Sequence, residues 1–162
     1  MVDKFTPDET DLRILEQLQH DASLSNLDLA AAAHTSAATC LRRVKRLVAE
    51  GVIERRVALL SPQKLAAGLT VIAEVTLDRQ GAEHLAAFEA RAVARAEVQQ
   101  CYRVAPGPDL VLVLQVDDMA AYHALVQSLF TQDANVRNLK AFFSVHRAKF
   151  HTRVALPGRT RG

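Results

Sequence analysis

The chain of 162 residues lacks the short motifs that mark common catalytic and metal sites. No GxGxxG, P-loop, HExxH or GxSxG motif is present, so the frequent nucleotide-binding and hydrolytic signatures are missing. The two cysteines, Cys40 and Cys101, lie far apart and outside any CxxC pair, which argues against a disulfide framework or a zinc finger. The six histidines do not stand at metal-ligand spacing. We therefore predict a protein that is not an enzyme and that uses no metal or cofactor.

Long apolar runs are also missing. The densest run, residues 110 to 114, is far too short to cross a membrane, and the first ten residues contain no apolar segment typical of a signal peptide. We therefore expect a cytoplasmic protein without a membrane partner. Hydrophobic residues make up 49% of the chain, which indicates folded domains rather than disorder, and the length suits one large domain or two small ones.

The net charge of +2 is small, but the charges are unevenly distributed. Residues 1 to 30 carry the acids Asp3, Asp8, Glu9, Asp11, Glu16, Asp21 and Asp28 against only Lys4 and Arg13. Residues 42 to 56 carry the bases Arg42, Arg43, Lys45, Arg46, Arg55 and Arg56 against only Glu50 and Glu54. A locally basic element on a nearly neutral protein favours specific docking on a nucleic acid over general coating of it.

Residues 36 to 50 predict a helix whose ends are marked by Ser36 at the N-cap and Gly51 just past the C-cap. At about 100° per residue, one side gathers the apolar residues Cys40, Leu41, Val44, Leu47 and Val48. The other side gathers Thr39, Arg42, Arg43 and Arg46. Arginine suits bidentate contact with guanine edges and phosphates. We therefore predict that this helix enters a groove of double-stranded DNA; the alternative is a solvated charged face.

The first sixty residues predict a winged-helix-like helix-turn-helix domain. A capping box that begins at Thr6 predicts a helix over residues 7 to 20, and a second box at Ser25 predicts a short helix over residues 26 to 33. Only residues 34 to 36 separate it from the basic helix, a turn as tight as in helix-turn-helix proteins. Residues 52 to 60 predict a linker strand, so we place the domain over residues 1 to 60.

The second half predicts an α+β domain over residues 61 to 150. Hydrophobic periodicity gives strands at 70–78, 98–104, 110–116 and 136 to about 149, with helices at 81–96 and from Asp118 to about 130. This βαββαβ order is that of a ferredoxin-like sandwich. Residues 110 to 114 are apolar on both faces, which favours a homodimer joined sheet to sheet, either with or without exchange of the linker strand. Residues 151 to 162 are interpreted as a frayed basic tail.

The chain resembles the Lrp/AsnC (feast/famine) family of transcriptional regulators over nearly its whole length. The segments that carry the likeness are residues 11–15 (DLRIL), 26–30 (NLDLA), 36–47, 51–53 (GVI), 61–62 (SP) and the βαββαβ half. The resemblance implies a DNA-binding transcriptional regulator with a C-terminal domain that binds an effector, usually an amino acid. It also implies dimers that assemble further, often into octamers.

By position, the resemblance places the DNA-binding residues on the third helix, at Ser36, Thr39, Arg42, Arg43 and Arg46, and Lys45 stands beside them. Docking of the helix N-terminus first would assign base reading to Thr39, Arg42 and Arg43 and phosphate contact to Lys45 and Arg46.

The family's effector loop commonly reads Gly-x-x-Asp, whereas this chain has Pro106-Gly107-Pro108-Asp109. Proline has no N–H group, so neither proline of the loop can donate to a ligand carboxylate. Asp109 is predicted either to bind a ligand ammonium or to order the loop; stiffening of a hairpin by the prolines alone is the alternative. The predicted effector residues are Val104, Gly107, Asp109, Leu110, Phe143 and Ser144.

Two other functions remain open from the sequence. An architectural protein that bridges DNA without an effector would share the same basic helix, and the altered loop favours it. A siroheme decarboxylase resembles the family in fold and would use pocket residues such as Arg103, His123 and His146. The basic helix argues against this enzyme, since a decarboxylase has no use for one.

Overall fold

A computed structural model describes residues 5–62, 64–65 and 68–158. The chain forms two compact units, one of Met1–Leu59 with Phe150–Gly162 and one of Leu60–Lys149. Each is built on its own hydrophobic core. No helix in the described ranges is long and apolar enough to cross a membrane.

The first unit contains three helices, α1 (Glu9–His20), α2 (Asn26–Ala32) and α3 (Ala37–Ala49). Their N-caps are Asp8, Ser25 and Ser36, as local capping chemistry requires. The capping box predicted at Thr6 was wrong by two residues. The Asp8 carboxylate accepts the amides of Thr10 and Asp11, and the Asp11 carboxylate accepts the Asp8 amide, so α1 starts at Glu9.

The turn between α2 and α3 confirms the predicted helix-turn-helix. His34 takes a left-handed conformation with φ of 53°, and the Thr35 amide then donates to the Ala30 carbonyl at 2.9 Å. Side chains also bridge the helices: Asn26 Nδ2 donates to the Ala37 carbonyl at 2.9 Å, and Arg13 Nε donates to the Ala33 carbonyl at 2.9 Å. The position of α3 against α1 and α2 is therefore fixed by polar contacts as well as by the apolar core.

Residues 52 to 60 do not form the predicted linker strand. The segment follows Gly51 as irregular chain, and its apolar side chains Val57, Leu59 and Leu60 are 60–70% exposed. A strand needs a hydrogen-bonding neighbour, and none of the described ladders includes this segment. Residue type alone favoured a strand, but the single chain supplies no partner for it.

Residues 150 to 158 differ from the predicted frayed tail. Gln19 makes two hydrogen bonds to the backbone of Val154, through Nε2 at 3.2 Å and Oε1 at 2.7 Å. Leu156 packs on the core of the first unit, and an Arg153 guanidinium nitrogen lies 2.6 Å from a His20 ring nitrogen. These contacts attach the segment to α1. Arg159 and Arg161 of the predicted tail lie outside the described residues.

The second unit confirms the βαββαβ order. It contains β1 (Leu69–Leu77), α4 (Ala82–Val93), β2 (Val98–Arg103), β3 (Leu110–Val116), α5 (Met119–Leu125) and β4 (Val136–Phe143), and α5 continues as a π-helical segment, Val126–Thr131. The sheet is antiparallel with the order β2-β3-β1-β4. β4 ends earlier than predicted because its neighbour β1 begins at Leu69, and the Ser144 amide already donates to Thr70, one residue from that start.

The two faces of the sheet differ in their cover. On one face, alternate residues of β3 from Leu110 to Val116 are buried with residues of α4 and α5. On the other face, Ile72 stands between Val113 and Phe142 in the register, and Tyr102 pairs with Val111. Ile72, Tyr102 and Phe142 are 43–52% exposed. The single chain therefore leaves an apolar strip across the sheet uncovered.

Candidate functional sites

Helix α3 is rotated relative to the face predicted for it. Cys40 and Leu47 are fully buried, as expected, but Leu41 and Val48 are about half exposed. The side chain of Arg43, predicted to be on the exposed side, is only 18% exposed. A helical wheel ranks positions by hydropathy and does not register an acidic group beneath the helix. The assignment of Leu41 and Val48 to the buried face was wrong for this reason.

That acidic group is Asp11 of α1, the one fully buried charged residue of the described chain. Its Oδ1 accepts a hydrogen bond from Arg43 at 2.9 Å, and its Oδ2 accepts one from Arg46 at 2.5 Å. The same guanidinium nitrogen of Arg43 lies 2.5 Å from Asp8 Oδ2. Arg46 also stacks over the Phe5 ring, 5.4 Å from its centroid. We call Asp8, Asp11, Arg43 and Arg46 the ion cluster.

The ion cluster also changes the acidity of its members. The hydrogen bond from Arg43 lowers the pKa of Asp8, and the same bond raises the pKa of Arg43. Sequence reasoning missed both acids as part of this site. The signal was present in the excess of acids before α2, which complements the excess of bases in α3.

The remaining predicted DNA-binding residues stay on the solvent side of α3. Arg42 and Lys45 are exposed, and no described residue pairs with either. Ser36 caps the helix, accepting the Thr39 amide, and its hydroxyl lies 2.9 Å from the Thr39 hydroxyl. The six predicted residues therefore fall into two groups, with Ser36, Thr39, Arg42 and Lys45 in one and the paired Arg43 and Arg46 in the other.

The loop before β3 is held together by Asp109. The Asp109 carboxylate accepts the Leu77 amide at 2.7 Å and the Gln80 side chain at 3.2 Å. Its backbone amide donates to Val75, and its carbonyl accepts the Val104 amide. Of the two roles predicted for Asp109, these contacts are those of a residue that orders the loop.

The predicted effector residues do not meet within one chain. Leu110 lies opposite Val75 on β1, whereas Phe143 lies opposite Val71, four residues earlier. At about 3.3 Å per residue, the positions opposite Leu110 and opposite Phe143 are roughly 13 Å apart along β1. Ser144 instead lines a cavity of about 630 Å³ at the other end of the sheet. Its polar lining includes Thr70, Asp117, Asp118, His146 and Arg147.

The residues suggested for a decarboxylase are not brought together either. Arg103 pairs with Glu89 at 2.7 Å and lies opposite Leu110. His146 lines the cavity beside Thr70, at the other end of β1, and His123 is exposed on α5. No common pocket forms from these three side chains in the described unit.

Comparison with known proteins identifies both halves of the chain. Residues 70–154 match the family model described as the Lrp/AsnC ligand binding domain. Residues 7–54 match a winged helix-turn-helix DNA-binding model. The chain belongs to the Lrp/AsnC family. It is a DNA-binding transcriptional regulator of this family, as its resemblance predicted.

Individual relatives agree along nearly the full length. The leucine-responsive regulatory protein of Haemophilus influenzae is 36% identical over 142 residues, which cover 88% of this chain and 86% of the relative. An AsnC family transcriptional regulator from Agrobacterium tumefaciens has a TM-score of 0.82 at 32% identity, covering 92% of this chain and 97% of that one. A transcriptional regulator from Neisseria meningitidis, solved as a complex with L-Met, has a TM-score of 0.83 at 29% identity, covering 94% and 98%.

Asp8→Asn tests the charge of the ion cluster, because asparagine caps a helix about as well as aspartate. The folded-state pKa of Asp8 is below its ordinary value of 3.8, so its charge stabilises the fold above that pH, and this stability is lost as the pH falls through the lower folded-state pKa. We expect the melting temperature of the wild type to exceed that of the variant at neutral pH, and we expect this gap in melting temperature to close at acidic pH. Glu50→Gln, on an exposed residue, should show no such gap. A gap of equal size at neutral and at strongly acidic pH would contradict the assignment.

Proposed function

We propose that this Lrp/AsnC regulator reads its operator with the solvent side of α3, and that an amino acid or related small molecule bound to the second unit modulates the binding. The observation that carries the first part is that Arg42 and Lys45 are exposed on the side of α3 away from the buried Cys40 and Leu47, with the half-buried Thr39 at the edge of that side. Thr39 and Arg42 lie in the first half of α3, which enters a major groove most deeply when the helix docks N-terminus first. Lys45 follows one turn later and suits a phosphate.

Base reading and phosphate contact are separated by two substitutions. Arg42→Ala should cost about 1–3 kcal/mol of operator binding and flatten discrimination at one base position. Lys45→Ala should weaken binding to all sequences alike and lower the salt slope by about 1. The measurement is a titration of a selected operator and a scrambled duplex over a salt series.

Arg137→Ala is the matched control, since this arginine is exposed in the second unit and lies 3.9 Å from Asp78. This substitution should leave the affinity for both duplexes unchanged. Equal losses on operator and scrambled DNA for Arg42→Ala would refute base reading by this residue.

The proposed ligand follows from the relatives and from the charges of the second unit. A relative with known structure binds L-Met, and others are named for leucine or glutamate. The Asp109 carboxylate is already occupied by the Leu77 amide at the end of β1 and by the Gln80 side chain. The cavity at the other end of the sheet offers the Asp117 carboxylate, for which no described residue is a partner, together with basic His146 and Arg147. An acidic and a basic group in one cavity could bind the ammonium and the carboxylate of a free amino acid.

Thermal shift with single amino acids tests the proposal. We expect at least one amino acid to raise the melting temperature and to change operator affinity. Asp117→Asn should abolish the shift if the cavity binds the ammonium group, and Asp109→Ala should abolish it if the loop does. Glu97→Gln is a control for an acid outside both places. If no amino acid shifts the melting temperature or the DNA affinity, the protein acts as an architectural DNA-bridging protein instead.

We also propose a homodimer as the minimum unit, joined through the uncovered face of the sheet, with further assembly as far as an octamer. The support is the apolar strip around Ile72 and the exposed apolar residues of segment 52–60, two surfaces that one chain leaves open. Sheet faces that pack on each other bury such strips. Paired helices would then read half-sites one helical turn apart or a multiple of it.

Ile72→Glu tests the sheet interface, because the charge would lie between Val113 and Phe142 at the centre of the strip. We expect light scattering at micromolar concentration to give a dimer or a larger assembly for wild type and a smaller species for the variant. Thr76→Glu on the same strand face, away from the strip, should keep the wild-type mass. A wild-type monomer would exclude the proposed interface.

A further inference from the structure

We infer that Asp11 is a specificity-determining residue that never touches DNA: through Arg43, and with Arg46 as a second anchor, it fixes the rotation of α3 about its own axis. The inference rests on the proposed operator reading by α3. It changes the role predicted for Arg43 from reading a base to positioning the residues that do.

The geometry of Asp11 is that of an anchor. The carboxylate is fully buried, and both of its oxygens are occupied, Oδ1 by Arg43 and Oδ2 by Arg46 and the Asp8 amide. Arg43 and Arg46 are three residues apart and therefore lie on neighbouring turns of α3. A buried charge that loses its partners is strongly disfavoured, so the carboxylate holds both guanidiniums against α1.

The Arg43 guanidinium is turned toward the acids, and the side chain is only 18% exposed. One guanidinium nitrogen bridges Asp8 and Asp11, and its Nε is buried with no hydrogen-bond partner in the described structure. To reach a base, Arg43 would have to leave two carboxylates and uncover the charge of Asp11. Arg46 keeps 42% of its side chain exposed but is held by Asp11 and by the Phe5 ring.

This anchor controls specificity because Arg42 and Arg43 are adjacent in one helix. Successive residues are separated by about 100° around the axis, so fixing Arg43 on α1 fixes the direction in which Arg42 points. Bidentate contact with a base edge depends on that direction, whereas contact with a phosphate tolerates change. Loss of the anchor should therefore reduce discrimination more than general affinity.

Asp11→Asn distinguishes this role by the sign of its effect. On charge alone, removing an acid beside a DNA-binding helix and releasing two arginines should strengthen binding to every duplex. If Asp11 positions α3, operator affinity should fall about tenfold or more while affinity for a scrambled duplex stays the same or rises. Glu50→Gln also removes an acid next to α3 without touching the ion cluster, and it should leave the ratio of the two affinities unchanged.

Two further variants of the full chain complete the test. Arg43→Gln should lower the ratio of operator affinity to scrambled-duplex affinity, and it should leave the salt slope on scrambled DNA unchanged. Loss of an arginine that contacts a phosphate would instead lower that slope by about 0.9. Asp8→Asn removes only the half-exposed arm of the ion cluster and should give a smaller fall in the same ratio. It serves as the readout if circular dichroism shows that Asp11→Asn does not fold.

The inference is overturned if Asp11→Asn, or Asp8→Asn in its place, keeps the wild-type ratio, or if Arg43→Gln lowers the salt slope by about 1. Arg42→Ala, measured in parallel, separates this failure from failure of the proposed function. If Arg42→Ala loses discrimination and the Asp11 variant does not, only the positioning role fails. If Arg42→Ala also keeps full discrimination, operator reading by this face of α3 fails as well.

Discussion

The first unit depends on one buried charge, the carboxylate of Asp11. Its burial is tolerated because two guanidiniums and a backbone amide converge on it from α3 and from the start of α1. Removing one partner of such a pair costs about 3–5 kcal/mol in proteins, far more than an exposed pair contributes. The excess of acids in the N-terminal segment and the excess of bases in α3 therefore pair with each other in the folded unit. The small net charge of the chain conceals this complementarity.

The second unit obeys a different constraint, the cover of its sheet. Helices α4 and α5 bury one face, where the side chains of β3 alternate inward. The opposite face and segment 52–60 both carry apolar side chains that one chain leaves exposed. Both features have the same physical explanation, since strands and apolar sheet faces are stable only with neighbours. The proposed assembly would supply those neighbours to both at once.

Much of this architecture was predictable because it is encoded locally. Ser25, Ser36 and Asp118 mark helix starts through their own side chains. The apolar run of β3, between the Pro/Gly loop and the acids that cap α5, predicted the bounds Leu110–Val116 correctly. Features that depend on distant partners were not predictable. The face of α3 was misjudged because Asp11, more than thirty residues away, pairs with it. The strand predicted over residues 52–60 was wrong because none of the described strands pairs with this segment.

The loop before β3, predicted to bind an effector, is held by contacts within its own unit. A ligand shifts an equilibrium only by binding one state more tightly than another. Asp109 ties its loop to Leu77 and Val75 through its own carboxylate and amide, so a ligand that bound this carboxylate would have to compete with the Leu77 amide. The other end of the sheet is connected differently. Ser144, His146 and Arg147 line the cavity there, and the chain re-enters the DNA-binding unit at Phe150, three residues later. These cavity residues therefore precede, along the chain, the segment whose Val154 backbone bonds to Gln19 of α1.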